Sequence, residues 1–300
     1  MCYGRISNVN ILRRPWANSP SARVDLAALA DGGHRRFDRR ELALRVASAI
    51  VLVPVGLGSV LAGGWALALI LFALGVAMAF EWTRMTRAPT AVSLFWITIL
   101  TTAAALALAT LRHGEHAVAA IVLGSMAATF PTRNLWNGLE RAFGAVLIAG
   151  ALTAFAFVRA RPEHGFDWAM GVLLAIWAND IAAYFGGGAL GGPKLVPTIS
   201  PAKTWAGLIS GIAAGAFVVM VWSGVRGDSF GPPLLAAVIG AVIALIGQIG
   251  DVGESVIKRH YNVKDASGLI PGHGGFMDRL DALCAASIAS ALVLAILRLS

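Results

Sequence analysis

The sequence predicts an all-α, polytopic membrane protein, and three observations carry that prediction. Hydrophobic residues fill 57% of the 300 positions and charged residues only 13%, against about 25% charged in an ordinary soluble domain. The apolar residues fall in long charge-free runs, and one membrane-crossing helix needs about 20 such residues. The cations between the runs are unequally shared from gap to gap, as loops on alternate sides of a bilayer share them. A soluble chain of this composition could not cover its surface with polar groups.

Residues 1–40 are polar and include Arg13, Arg14, Arg23, Arg35, Arg36, Arg39 and Arg40. No long apolar core precedes a small-residue cleavage site, so this does not read as a clean signal peptide. It reads as a basic, poorly ordered cytoplasmic extension. Val46 to Phe80 then gives 35 residues without a charge, more than one span, and Gly63-Gly64 divides it into two helices. Further apolar runs cover 88–111, 117–132, 142–158, 168–193 (broken only by Asp180), 204–225, 229–250 and 282–297. The expected count is about nine spans, with eight or ten as alternatives. With the N-terminus inside, nine spans put 19 of the 24 Lys and Arg residues inside and 5 outside, as the positive-inside rule requires. Residues 41–165 supply the N-terminal membrane helices and 166–300 the C-terminal, catalytic ones. Glycines at four-residue spacing, Gly207, Gly211 and Gly215, predict close helix packing.

The basic balance, net +8, is not a nucleic-acid signature, because no aromatic-basic interleaving or recognition module accompanies it. Cys2 and Cys284 have neither metal-ligand nor disulfide spacing, and Cys284 reads as a small apolar packing residue. No GxSxG elbow is present, and no His/Cys pair has zinc spacing.

Chemistry concentrates in 250–281, GDVGESVIKRHYNVKDASGLIPGHGGFMDRLD, between two charge-free spans. Asp251 closes one span. A last helix beginning near Met277 places Asp278 and Asp281 three residues apart on one face. Carboxylates so spaced can share a hard cation such as Mg2+, which prefers oxygen ligands and keeps positions for substrate phosphates. Asp251 can join them. Lys258, Arg259, Lys264 and Arg279 can balance phosphate charge. The turn Pro271-Gly272-His273-Gly274-Gly275 lets backbone approach a ligand closely. A plain solvated loop with acids at a helix start explains Asp278 alone, not the whole concentration. His260 and His273 are weak signals taken singly.

Two further segments belong with it. Asp180 stands alone in AIWANDIAAYFGGG; a carboxylate in a span faces a partner or a polar cavity, here either a bond with Asn179 or Tyr184 or a place in the site. In GGGALGGPKLVPTISPAKTWAG, 186–207, the spacing is not that of a P-loop. Ser200 followed by Pro201 predicts a helix N-terminus. Lys203 would then lie in its first turn, either favouring an anion or anchoring the helix at the interface.

Ser255 to Asp281 closely resembles the signature of the phosphatidate cytidylyltransferase (CDP-diacylglycerol synthase) family: Ser255, Lys258, Arg259, Lys264, Asp265, Pro271, His273, Gly274, Gly275, Asp278, Arg279 and Asp281 are all in place. SPAKTWAG and the Asp180–Tyr184 segment are similar to the motifs that accompany it. Ala202 and Ala206 depart from it, standing where the family usually has Lys and Glu. The resemblance covers about the C-terminal half. It implies transfer of a cytidylyl group from CTP to phosphatidate, Mg2+ held through Asp251, Asp278 and Asp281, a catalytic role for Lys203, and a homodimer in the bacterial inner membrane. Ser200, Lys258, Arg259, Lys264, His273, Gly274, Gly275 and Arg279 would then bind substrate, with Asp180 and Asp265 behind them. The lipid phosphate can itself attack CTP, so no enzyme nucleophile is needed. A related enzyme using another lipid acceptor is the alternative, and a secondary transporter with Asp180 in its path is the alternative from another class.

Overall fold

The computed structural model describes residues 50, 53–86, 91–130, 134–270 and 274–296, within one compact unit, Leu44–Ser300. The expected extension at 1–40 and His273 lie outside the described residues. Nine helical segments follow one another among the described residues: α1 Val53–Ala62, then α2 Gly64–Thr86, α3 Ala91–Thr110, α4 Gly114–Thr129, α5 Leu135–Arg159, α6 Gly165–Leu190, α7 Trp205–Val225, α8 Pro233–His260 and α9 Met277–Ile296. Between α6 and α7 stands a hairpin, β1 Lys194–Val196 and β2 Ser200–Thr204, paired antiparallel. The fold is the expected polytopic helical bundle, with this small hairpin as the departure.

Seven of the segments, α2, α3 and α5 to α9, are long and apolar enough to cross a membrane. The other two are short: α4 has 16 residues, about 24 Å of helix, and α1 is shorter. The break between α1 and α2 falls where the glycine pair predicts it. Gly63 and Gly64 both have positive φ, which glycine adopts without a steric cost.

Side-chain ties define two ends of the bundle. At one end Arg159 Nε donates to Val60 O at 2.6 Å, and Arg226 pairs with the buried Asp167 at 2.6 Å. At the other, Arg141 donates to Ala128 O at 2.7 Å and to Ser93 Oγ at 3.1 Å, so α4 runs from the first end to the second. The second end also collects the hairpin, the C-terminus of α8 and the start of α9. Among the described residues, the cations expected inside, Arg84, Arg141, Lys194, Lys203, Lys258, Arg259, Lys264 and Arg279, thus share one end; Arg87, Arg133 and the N-terminal arginines lie outside the described residues.

One apolar core joins α2, α3, α5 and α9 around Met78, Trp82, Leu94, Ile148 and Leu294. A second joins α6, α7, α8 and α9 around Val172, Val219, Phe230 and Ala286. Large apolar side chains elsewhere are exposed, among them Phe130, Trp136, Leu190, Ile209 and Leu234, as on helices surrounded by lipid. The glycine stripe of α7 behaves as its spacing predicts. A Cβ on Gly207 would stand 2.8 Å from Ala183 O, and one on Gly211 would strike Asn179 Oδ1, so α6 and α7 pack backbone to backbone.

Two expected boundaries move. Ser200 is not a helix cap: it begins β2, facing Val196, and the cap is Thr204, whose Oγ1 accepts from Gly207 N at 3.1 Å. Thr204 is as competent a cap as Ser200, and it lies against Gly187 of α6, so the contact between helices decides. Asp251 does not end a helix either. α8 continues nine residues beyond it to His260, supported by the Glu254–Lys258 pair at four-residue spacing. The loop of the signature is therefore 261–276, and Asp251, Glu254 and Lys258 are helical residues.

Candidate active site

The polar residues of α8 meet those of α9 and of the hairpin at the second end of the bundle. Three elements contribute. The hairpin carries Lys203, whose Nζ lies 2.6 Å from Asp251 Oδ2 on α8. Arg259, near the end of α8, reaches back to the hairpin turn, its Nε 3.5 Å from Ile199 O, and bonds Val263 O at 3.3 Å. Lys258 is nearly buried between two carboxylates, 2.8 Å from Glu254 Oε2 and 2.6 Å from Asp278 Oδ1. Asp251, Glu254 and Lys258 recur at three and four residues and so share one face of α8.

α9 starts where the sequence expects it, and Asp278 and Asp281 occupy its first turns. Their surroundings differ. Asp278 Oδ2 accepts from Ala266 N at 3.0 Å and Gly275 N at 2.9 Å, while Oδ1 takes Lys258. Asp281 Oδ1 accepts from Ala282 N at 2.7 Å, and its carboxyl lies within electrostatic range of Asp251 and Glu254. A Cβ on Gly250 would stand 2.8 Å from Asp281 O, so this glycine sets the close approach of α8 to α9 there.

Asp180 belongs to the same neighbourhood. It is exposed on α6 and accepts from Asn179 Nδ2 at 3.1 Å; Asn179 Oδ1 in turn accepts from Gln248 Nε2 at 3.0 Å. The charges around Asp180 are Asp251, Lys203 and Arg279. Asp180 thus bonds its neighbour on the same helix and borders the charged cluster. Ser200 is partly buried at the hairpin, and Lys264, Asp265 and Arg279 are exposed around the cluster. Gly274 and Gly275 line the loop beside Asp278.

The residue that sequence reasoning missed is Glu81, in α2. It is fully buried and accepts from Ser267 Oγ at 2.5 Å, Phe276 N at 2.8 Å and Met277 N at 2.8 Å. Its signal was present: a lone acid directly after 35 charge-free residues, the criterion that singled out Asp180. Glu140 of α5 was missed as well. It lies 3.5 Å from His260 Nε2 and, with burial as the larger cause, holds the Tyr261 phenol above its ordinary range.

An apolar cleft of about 730 Å3, lined by Trp168, Phe230, Leu235, Ile239 and Val293, lies between α8 and α9 toward the first end. Arg161 and His164 also line it, at the end away from the carboxylate cluster. The charged cluster is thus the only place among the described residues where carboxylates, lysines and glycine backbone converge.

A family model described as the cytidylyltransferase family matches residues 43–297. The phosphatidate cytidylyltransferase of Brucella suis is 35% identical over 254 residues, covering 82% of this chain and 90% of that protein. The one from Pseudomonas aeruginosa is 32% identical over 256 residues, covering 81% and 93%. The one from Mycobacterium tuberculosis is 32% identical over 163 residues, covering 54% and 45%. With nearly the whole unit matched, and not the signature alone, the chain belongs to the cytidylyltransferase family and is a nucleotidyltransferase.

Proposed function

We propose that the chain transfers the cytidylyl group of CTP to phosphatidate, forming CDP-diacylglycerol and pyrophosphate. The observation that carries this is the convergence of Lys203, Asp251, Glu254, Lys258, Asp278 and Asp281 from three elements at one end of a membrane bundle. One substrate is a soluble polyanion and the other a lipid with its phosphate at the headgroup plane. A charged cluster where helices leave the membrane suits both. The names of the relatives point to the same acceptor.

An oxygen of the lipid phosphate attacks the α-phosphorus of CTP, and the bond from that phosphorus to the β-phosphate oxygen breaks. Pyrophosphate leaves with the electron pair. No protein nucleophile is required, so the protein's part is positioning and charge neutralisation. Lys203 and Arg259, on opposite sides of the hairpin–helix junction, bind phosphate oxygens. Lys203 neutralises Asp251 in the free protein, so an arriving triphosphate competes for Lys203 and releases Asp251. Lys258 keeps Glu254 and Asp278 in register. Ser200, Lys264, His273, Arg279 and the amides at Gly274 and Gly275 complete the phosphate surround, with Asp180 and Asp265 behind it.

The donor set fits Mg2+. Every carboxylate is a hard oxygen ligand, and the buried Glu254 carboxylate has Lys258 as its cation partner at 2.8 Å. Among the described residues no three His, Cys, Asp or Glu side chains enclose a metal unaided, and Mg2+ ordinarily needs only one or two carboxylates, with waters and substrate phosphates. Asp251, Asp278 and Asp281 are the residues assigned to it, with Glu254 adjoining. When bound it would supply charge neutralisation at the triphosphate.

The cation distribution supports a site on the cytoplasmic side of the inner membrane with the N-terminus inside, and α1 and α4 would bring the spans to nine. Residues 41–165 pack the bundle, 166–300 carry the chemistry, and the working form is a homodimer. Membranes containing the protein, given CTP labelled at the α-phosphate and phosphatidate, test the reaction. Label in chloroform-soluble lipid, dependent on phosphatidate, is the expected result. Label transferred only to another lipid acceptor would replace phosphatidate, and none at all would end the proposal.

A further inference from the structure

The described flanks of the signature loop, 266–270 and 274–276, are held by two carboxylates from different helices. Asp278 takes the amides of Ala266 and Gly275. Glu81, from α2 in the N-terminal half, takes Ser267 Oγ and the amides of Phe276 and Met277. Those two amides open α9 and have no acceptor within the helix, and the helix dipole favours a negative charge beside them. The glycine pair fits this grip. A Cβ on Gly275 would stand 2.7 Å from Glu81 Oε1; Gly274 has φ +83°, and a Cβ there would stand 3.1 Å from Asp278 Oδ2.

We infer that Glu81 is a positioning residue for cytidylyl transfer: it fixes the start and rotation of α9, and through them the placement of Asp278 and Asp281 against Asp251, Glu254 and Lys258. The inference rests on the function proposed above. A fully buried carboxylate among Met78, Trp82 and Met85 is a costly way to cap a helix that a Ser or Asn at its own N-terminus could cap. It is well suited to joining the N-terminal helices to the loop that carries the site.

The test uses the full chain in membranes or detergent, with Glu81→Gln, Ser267→Ala, Gly275→Ala and the pair Gly275→Ala with Glu81→Asp. Turnover, KM for CTP, the Mg2+ concentration for half-maximal rate, thermal stability and tryptic cleavage at Arg259 and Lys264 are measured. Glu81→Gln is expected to lower kcat roughly 100-fold, the cost of a small misplacement of catalytic groups, and to raise the Mg2+ requirement. Cleavage should be faster. Ser267→Ala acts in the same direction more weakly and adds nothing in the Glu81→Gln background. Gly275→Ala mimics Glu81→Gln, and Glu81→Asp, by withdrawing the carboxylate, restores part of its rate. Should Glu81→Gln fail to fold, the serine and glycine variants decide by the same readouts. Variants that lower only thermal stability, with kcat per folded molecule and Mg2+ requirement unchanged, would overturn the inference. If the unsubstituted protein itself transfers no cytidylyl group, the functional proposal fails separately; unchanged tryptic cleavage in Glu81→Gln then overturns the grip on its own terms.

Discussion

Lys203 Nζ lies 2.6 Å from Asp251 Oδ2, and this pair, with Arg259 Nε against Ile199 O, joins the hairpin to α8. Asp251 is 38% exposed at its side chain, so the pair contributes no more than about 1 kcal/mol to stability. Its value is chemical. Lys203→Met should unfold at nearly the temperature of the parent while losing at least roughly 100-fold in turnover, the usual loss when a preorganised charge is removed. Assay beside a thermal melt checks it; a variant with full turnover removes Lys203 from the mechanism.

Asp278 and Asp281 should respond differently to the same change. Asp278→Asn removes the charge facing Lys258 and disturbs the amides of Ala266 and Gly275. It should abolish CTP-dependent lipid product while costing about 1–3 kcal/mol through unsatisfied groups, a loss that leaves the bundle folded. Asp281→Asn keeps an acceptor for its neighbour Ala282, alters the contact with the Glu254 carboxyl and removes repulsion from Asp251. It should melt like the parent and need more Mg2+ for the same rate. Retained activity in Asp278→Asn would end the assignment of that residue to the cation.

The bundle, the start of α9, the glycine stripe of α7 and the charged end were legible because each leaves a local mark. Charge-free runs, small residues every fourth position and cations at one set of gaps all follow from the bilayer as solvent. The extent of α8 was not legible, since Asp251 looks like the edge of a span, although Glu254 and Lys258 continue the helical period. Ser200 and Thr204 are equally good caps, and only contact with α6 chooses between them. Glu81 lies 186 residues before Ser267, and no local pattern announces a partner at that distance.

Tyr261 gives a pH dependence with a definite sign. Burial first, then the Glu140 carboxylate, raises its phenol above 10.0. A group bound more tightly to its proton in the folded state contributes stability below its unfolded value and loses it as pH rises past that value. Thermal stability should therefore fall more steeply above about pH 10 in the parent than in Tyr261→Phe, which has no phenol to ionise. Parallel curves for the two proteins would mean that Tyr261 is not held in this environment.

Substitution at the opposite end separates stability from chemistry. Asp167 is buried, receives Arg226 Nε at 2.6 Å and belongs to the turn whose backbone carbonyl takes Trp222 Nε1 at 3.1 Å. Asp167→Asn keeps the shape and weakens the charge-assisted bond from Arg226 and the longer contact with His164 Nδ1 at 3.4 Å. Arg226 is 45% exposed at its side chain, so water takes over part of the interaction, and the loss should stay near 1 kcal/mol. The carboxylate cluster lies at the far ends of α7 and α8, about one hydrocarbon thickness away, roughly 30 Å. Turnover per folded molecule and KM for CTP should therefore match the parent while the melting temperature drops. A changed KM in Asp167→Asn would mean that the two ends of the bundle are coupled and that the chemistry is not confined to the end holding Lys203 and Asp251.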